Sequence, residues 1–241
     1  MRMNRDRVIC RLVNTEKNKV WLRRMPHREF LDLSIVYQQM SKNGVLAYQI
    51  TWNDANDSQL TESELYELAM KNTKRLCPME LKPMSGIAKE AKKIVNDTRS
   101  EKEESYFVSN QVRRHGAIAI LYEGALEKIS QITESNLYIM PSSTHECIVA
   151  PVDTITSLEA LQERLQFINQ HLVDEEDRLS NQVYHYDMET KEVTQVTHSP
   201  YTDLCQERTD WSEESLNFGR EMELDMSKYE HVQNEEGQIS M

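Results

Sequence analysis

Residues 31–52 read LDLSIVYQQMSKNGVLAYQITW, and their spacing sets the class of structure. Leu31, Leu33, Ile35 and Tyr37 occupy every second position, the period of a strand with one buried face. Residues 45–52 (VLAYQITW) form a second run rich in β-favouring side chains. Lys42-Asn43-Gly44 stands between them. Asn-Gly supplies the positive φ angles of a tight turn, so the stretch predicts an antiparallel β-hairpin.

Upstream, residues 7–14 (RVICRLVN) alternate too weakly to separate a strand from the start of a helix. Downstream the period lengthens. Thr61-Glu62-Ser63-Glu64 is a capping box, flanked by Leu60 and Leu65 at staple spacing. Leu65, Leu68, Ala69 and Asn72 follow at helical spacing until Pro78 bars extension. Residues 84–96 repeat the pattern through Ile87, Ala88, Ala91, Ile94 and Val95. The polar run at 96–105 reads as a loop or as a boundary between two lobes near 97–105.

Beyond it, strands are expected at 106–110 and 116–122 and a helix over 123–133. Two further apolar runs, 137–140 and 146–152, flank the turn-like Pro141-Ser142-Ser143-Thr144. A second capping box, Thr156-Ser157-Leu158-Glu159, opens a helix striped by Leu158, Leu161, Leu165, Ile168 and Leu172. Residues 183–187 and 192–196 form a last hairpin around Glu189-Thr190-Lys191. Hairpins, rather than βαβ repeats, predict an α+β domain over residues 1–199, with a mixed, largely antiparallel sheet and packed amphipathic helices.

After His198 the pattern stops. Residues 200–241 hold eleven acidic and three basic side chains and read as a disordered acidic tail. Trp211, Leu216 and Phe218 are spaced anchors in it. Three readings stand level: the tail folds onto a partner, docks on its own domain, or is a solvated end. Residues 1–30 carry nine cations against three anions, so a basic start faces an acidic end.

The whole chain of 241 residues carries a net charge of -12, which repels nucleic acid and anionic membrane. A nucleic-acid contact would rest on Arg113-Arg114-His115 and the basic start, without an aromatic platform. The N-terminus lacks the apolar stretch of a secretory signal, and no run approaches 18 apolar residues. Cys10, Cys77, Cys147 and Cys205 form no C-x-x-C pair. These features predict a soluble cytoplasmic protein without a membrane partner.

Five separated blocks carry a resemblance. They are PHREFLDLSIVY (26–37); ELYELA (64–69) with Asn72-Thr73, Arg75-Leu76 and Pro78; Val108-Ser109-Asn110 with Gly116-Ala117 and Leu121-Tyr122-Glu123; LYIMPSS (137–143) with His145-Glu146; and Val183-Tyr184 with Tyr186-Asp187. In this order they resemble the bacterial family catalogued as domain of unknown function 5688, over roughly residues 7–196. The resemblance implies no activity. Family members usually have a further region before the block matched by residues 8–14, so this chain reads as a shortened member. Thr144 and Cys147 stand where the family is usually aliphatic.

The residues best placed for chemistry are Ser142, Ser143, His145 and Cys147. A serine or the cysteine would be the nucleophile and His145 the base, with an acid elsewhere. If the segment continues as a strand, His145 and Cys147 share one face of it and Glu146 the other. The alternative is a turn whose hydroxyls bond their own backbone. A metal reading pools His145, Glu146, His115, His27 and Asp32, yet no two histidines stand at i, i+4, and no metal is expected. Arg28, beside His27, suits a phosphate or carboxylate, or a polar lid on a sheet edge. With six isolated glycines there is no phosphate-binding loop, and no cofactor is expected. The leading expectation is a non-enzymatic module whose partner is another protein. Its rivals are a hydrolase around residues 142–147 and a shortened, partly degenerate family member.

Overall fold

The structure is a computed structural model and describes residues 3–41, 47–85, 102 and 104–196. The turn at Lys42-Asn43-Gly44, most of the helix expected at 84–96, Cys205, and the anchors Trp211, Leu216 and Phe218 lie outside these residues.

The first unit is a sheet. β1 (Val8–Asn14) leads through α1 (Thr15–Leu22) to β2 (His27–Phe30), β3 (Leu33–Met40) and β4 (Ala47–Gln49). β3 pairs antiparallel with β1, β2 and β4. Of residues 7–14, all but Arg7 thus resolve as strand. The expected hairpin is present, with Met40 opposite Ala47 and Gln38 opposite Gln49.

Two details of the hairpin reading need correction. Leu31 does not belong to the strand: it turns the chain between β2 and β3 at φ 54. A leucine in the left-handed region costs about 1–2 kcal/mol, so nothing in the local sequence announces this turn. Tertiary bonds hold it instead. The Asp32 carboxylate accepts from the Tyr184 hydroxyl (2.5 Å) and the Ser180 hydroxyl (2.6 Å), and its carbonyl accepts from the Thr15 amide. Trp52 likewise leaves the sheet to open α2 (Trp52–Asp57), where Thr51 and Asp54 form a capping box. Removing the Tyr184 hydroxyl leaves Asp32 one donor short. Tyr184→Phe is therefore expected to lower stability by about 1–2 kcal/mol in urea unfolding.

α3 (Glu62–Leu76) starts at the expected box, with Thr61 and Glu64 bonded reciprocally. It buries Leu65 and Ala69, while Asn72 donates to the carbonyls of Arg5 and Val8. α3 then lies along the open edge of β1, where the Thr73 hydroxyl accepts from the Cys10 amide.

The second sheet takes β5 (Met79–Pro83), β6 (Tyr106–Asn110), β7 (Leu137–Met140), β8 (Cys147–Pro151), β9 (Tyr184–Tyr186) and β10 (Val193–Gln195). Its order is β10-β9-β7-β8-β6-β5, antiparallel throughout. The two runs flanking Pro141-Ser142-Ser143-Thr144 form β7 and β8, and the last hairpin forms as β9 and β10, each strand within one residue of its expected bounds. β5 and β6 pair across residues 84–105, so strands from either side of that polar run share one sheet. Two further α-helices are α4 (Ala125–Thr133) and α5 (Leu158–His171). The cap of α5 sits one residue later than expected: Ser157 accepts from the Ala160 amide, and Thr156 stands outside.

Residues 116–122 are not a strand. Gly116–Leu121 is a 3-10 helix, with Ala117, Ile118, Ala119 and Ile120 all buried. An apolar run buried on every side has no period to read. It fills the largest core cluster, which joins Val8, Leu12 and Tyr37 of the first sheet to Val108, Ile139 and Val149 of the second. α5 covers the other face of the second sheet through Leu161, Leu165 and Ile168 against Phe107, Met140 and Ile148. Mixed helices and antiparallel sheets make this an α+β fold. Among the described residues no helix is long and apolar enough to cross a membrane.

Candidate functional site

Four segments meet at His145. The loop between β7 and β8 carries it, and that loop is laced in from both sides. On one side the Thr144 amide donates to the Asp177 carbonyl (2.7 Å), and the Leu179 and Ser180 amides donate to the carbonyls of Ser142 and Pro141. On the other, the Ala117 amide donates to the Thr144 carbonyl, and the Ser109 hydroxyl to the His145 carbonyl (2.8 Å).

His145 itself is about a third exposed. Its Nε2 lies 3.2 Å from Asp177 Oδ2, and its Nδ1 accepts from the His115 amide at 3.2 Å. The ring therefore carries its proton on Nε2 when neutral and donates it to Asp177. Thr144 Oγ1 donates to the other carboxylate oxygen at 2.9 Å. The bond from His145, seconded by that hydroxyl, holds the Asp177 carboxyl down to about 2.

His115 stacks on His145, with ring centroids 5.6 Å apart and planes 16° from parallel. Burial, seconded by the positive field of Arg11, pushes the His115 ring down to about 3. It is a neutral imidazole at ordinary pH. Arg11 reaches this neighbourhood from β1, and burial lowers its affinity for its proton while Asp177 restores part of it. Arg11 Nε and His115 Nδ1 are buried atoms without a hydrogen-bond partner.

The predicted nucleophiles are placed otherwise. The Ser143 hydroxyl accepts from the amides of His145 (3.0 Å) and Glu146 (3.2 Å), the self-bonded turn. Ser142 is buried, and its hydroxyl has no partner. Cys147 does not share a face with His145, because β8 begins only at Cys147. Its thiol lies in the core at 3.8 Å from the Ala117 carbonyl, and burial pushes its pKa far up. A thiol so held supplies almost no thiolate.

Arg28 stands on β2, an edge strand of its sheet, and it is occupied. It grips Glu62 with two bonds (3.2 and 2.9 Å) and lies 3.9 Å over the Tyr66 ring. Tyr37 donates to the same carboxylate. His27 turns its Nδ1 to the Met25 carbonyl at 2.9 Å. Of the five residues pooled for a metal, His115 and His145 are brought into contact. No group of three or more His, Cys, Asp or Glu among the described residues could hold a metal ion.

Sequence reading found His145 and missed Asp177 and Arg11. Asp177 ends an acidic run after α5 and looks like its neighbours Glu175 and Glu176. Arg11 is one more cation in a basic segment. No local signal marks either, since both acquire meaning only through partners 30 or more residues away.

The class defined so far is an α+β protein of two antiparallel sheets, with a His–Asp pair clamped between the β7–β8 loop and the segment after α5. A family model of unknown function, DUF5688, matches residues 1–188, and the chain belongs to that family. No curated protein and no solved structure matches it.

Proposed function

We propose that this chain is a non-enzymatic protein-binding or regulatory module. The observation that carries the reading is that every group expected to do chemistry is either engaged internally or, like the unbonded Ser142 hydroxyl, buried. Both ring nitrogens of His145 are bonded, one to a backbone amide and one to Asp177. The Ser143 hydroxyl serves its own turn, the Cys147 thiol is core, and Arg28 is spent on Glu62. A triad needs its base free toward a nucleophile. Here the His–Asp pair acts as a clamp that joins two loops, and the block of residues 137–143 with His145-Glu146 supplies its histidine.

Residues 200–241 supply acidic charge and the anchors Trp211, Leu216 and Phe218, a composition suited to capture of a protein groove. The test is affinity capture from native cell extract with mass spectrometry. Wild type and His145→Ala are expected to retain the same partner, and a Trp211→Ala/Leu216→Ala/Phe218→Ala chain to lose it. Retention by the triple variant, or loss by His145→Ala alone with its fold intact, would overturn the reading.

A further inference from the structure

α1 presents an unusual face. Val20 is 71% exposed, the most exposed of the large hydrophobic residues described. Lys19, Arg23 and Arg24, all exposed, surround it in sequence and at helical spacing. Lys19 pairs with Glu16, whereas the side chains of Arg23 and Arg24 make no ion pair among the described residues. Lys17, at the other end, already points its ammonium at the Glu175 carbonyl beside the acidic run Asp174-Glu175-Glu176. Unmatched positive charge thus gathers on the C-terminal half of α1 and the turn after it, around one exposed aliphatic side chain.

A short run of bonds connects the end of the described chain to the start of this helix. The Val196 amide donates to the Val183 carbonyl (2.9 Å), three residues beyond Ser180. Ser180 bonds Asp32, and Asp32 accepts from the amide of Thr15, the first residue of α1. The 45 residues that follow Val196 begin, therefore, a few bonded steps from α1. A chain of that length reaches roughly 35–40 Å when unstructured, and tethering holds it at an effective concentration of order millimolar. It carries eleven acidic residues, with apolar side chains spaced among them.

We propose that the acidic segment 200–241 docks on the Lys19–Val20–Arg23–Arg24 face of α1 in the same molecule. Its carboxylates meet the arginines while an apolar anchor covers Val20. The contact needs no external partner, and a partner of the segment would compete with it.

The test uses the purified full-length chain, mixed equally with its ¹⁵N-labelled copy and joined by a carbodiimide, which links lysine to carboxylate without a spacer. Peptides mapped by mass spectrometry are expected to link Lys19, and Lys17 more weakly, to acids within 200–241 in isotopically like pairs. Val20→Glu/Arg23→Glu/Arg24→Glu keeps both lysines and alters only exposed positions. It should reduce these links to background, as should high salt, which screens the attraction. Circular dichroism confirms that the variant is folded. Unchanged links in that variant, links spread evenly to Lys74, Lys128 and Lys191, or links between unlike isotopes would each overturn intramolecular docking. None of these readouts involves a captured protein, so the failure of this contact is distinct from the failure of the binding reading.

Discussion

Acidification from pH 6.5 to about pH 4 is expected to remove about 3 kcal/mol of stability through His115, and a His115→Asn chain should keep most of it. An unfolded chain protonates this imidazole near its ordinary value of 6.5, whereas the folded chain holds it unprotonated down to about 3. Between those values the unfolded state binds more protons, so stability falls as pH falls. Four cationic or titratable groups face the ring or lie near it: Arg11 from β1, Arg114 beside it, His145 stacked on it, and Asp177 across from it. Only Asp177 favours the charged form.

Asp177 adds a smaller loss at lower pH. Its stabilisation is complete above its ordinary value of 3.8 and disappears as pH falls through about 2. A partly exposed pair of this kind contributes at most about 1 kcal/mol. Asparagine suits position 115 because the residue sits at φ 51, a conformation asparagine tolerates. Urea midpoints across the pH range decide the matter. Parallel curves for wild type and His115→Asn would show that His115 titrates freely in the folded chain.

Gly116→Ala is expected to destabilise the protein by about 3 kcal/mol or more, at or beyond the usual upper end for overpacking. A Cβ there would stand 2.3 Å from Ser109 Oγ, 2.5 Å from the His145 carbonyl oxygen and 2.7 Å from the Asn110 amide nitrogen. The first clash could be relieved by rotating a side chain. The other two are with backbone, on one side β6 and on the other the loop that carries His145. Relief would push that loop away and break the Ser109–His145 bond. Adding Ser109→Ala to Gly116→Ala should therefore recover only a small part of the loss. A double variant as stable as Ser109→Ala alone would mean that β6 and the β7–β8 loop are not in such close approach.

The same glycine shows what sequence reading could reach. Gly116-Ala117 belongs to a block that marks the family, yet the residues that demand a glycine lie six and seven positions before it and 29 after it. Its run reads as a strand because it is apolar. It is helical because the core surrounds it on all sides and leaves no polar face to set a period.

Where the signal is local, the reading holds. The Thr61–Glu64 box, the β3–β4 hairpin, the stripe of α5 and the β9–β10 hairpin all rest on contacts within a few residues or on a period of 3.6 or 2. The α+β class follows from such signals, and the family, DUF5688, from separated blocks of matching residues. Tertiary structure decides what long-range bonds enforce. It places Leu31 in a turn because Asp32 is held by Tyr184 and Ser180, 152 and 148 residues on. It puts Cys147 in the core and gives His145 the partner Asp177. Those bonds join residues far apart in the chain, and spacing along the chain carries no trace of them.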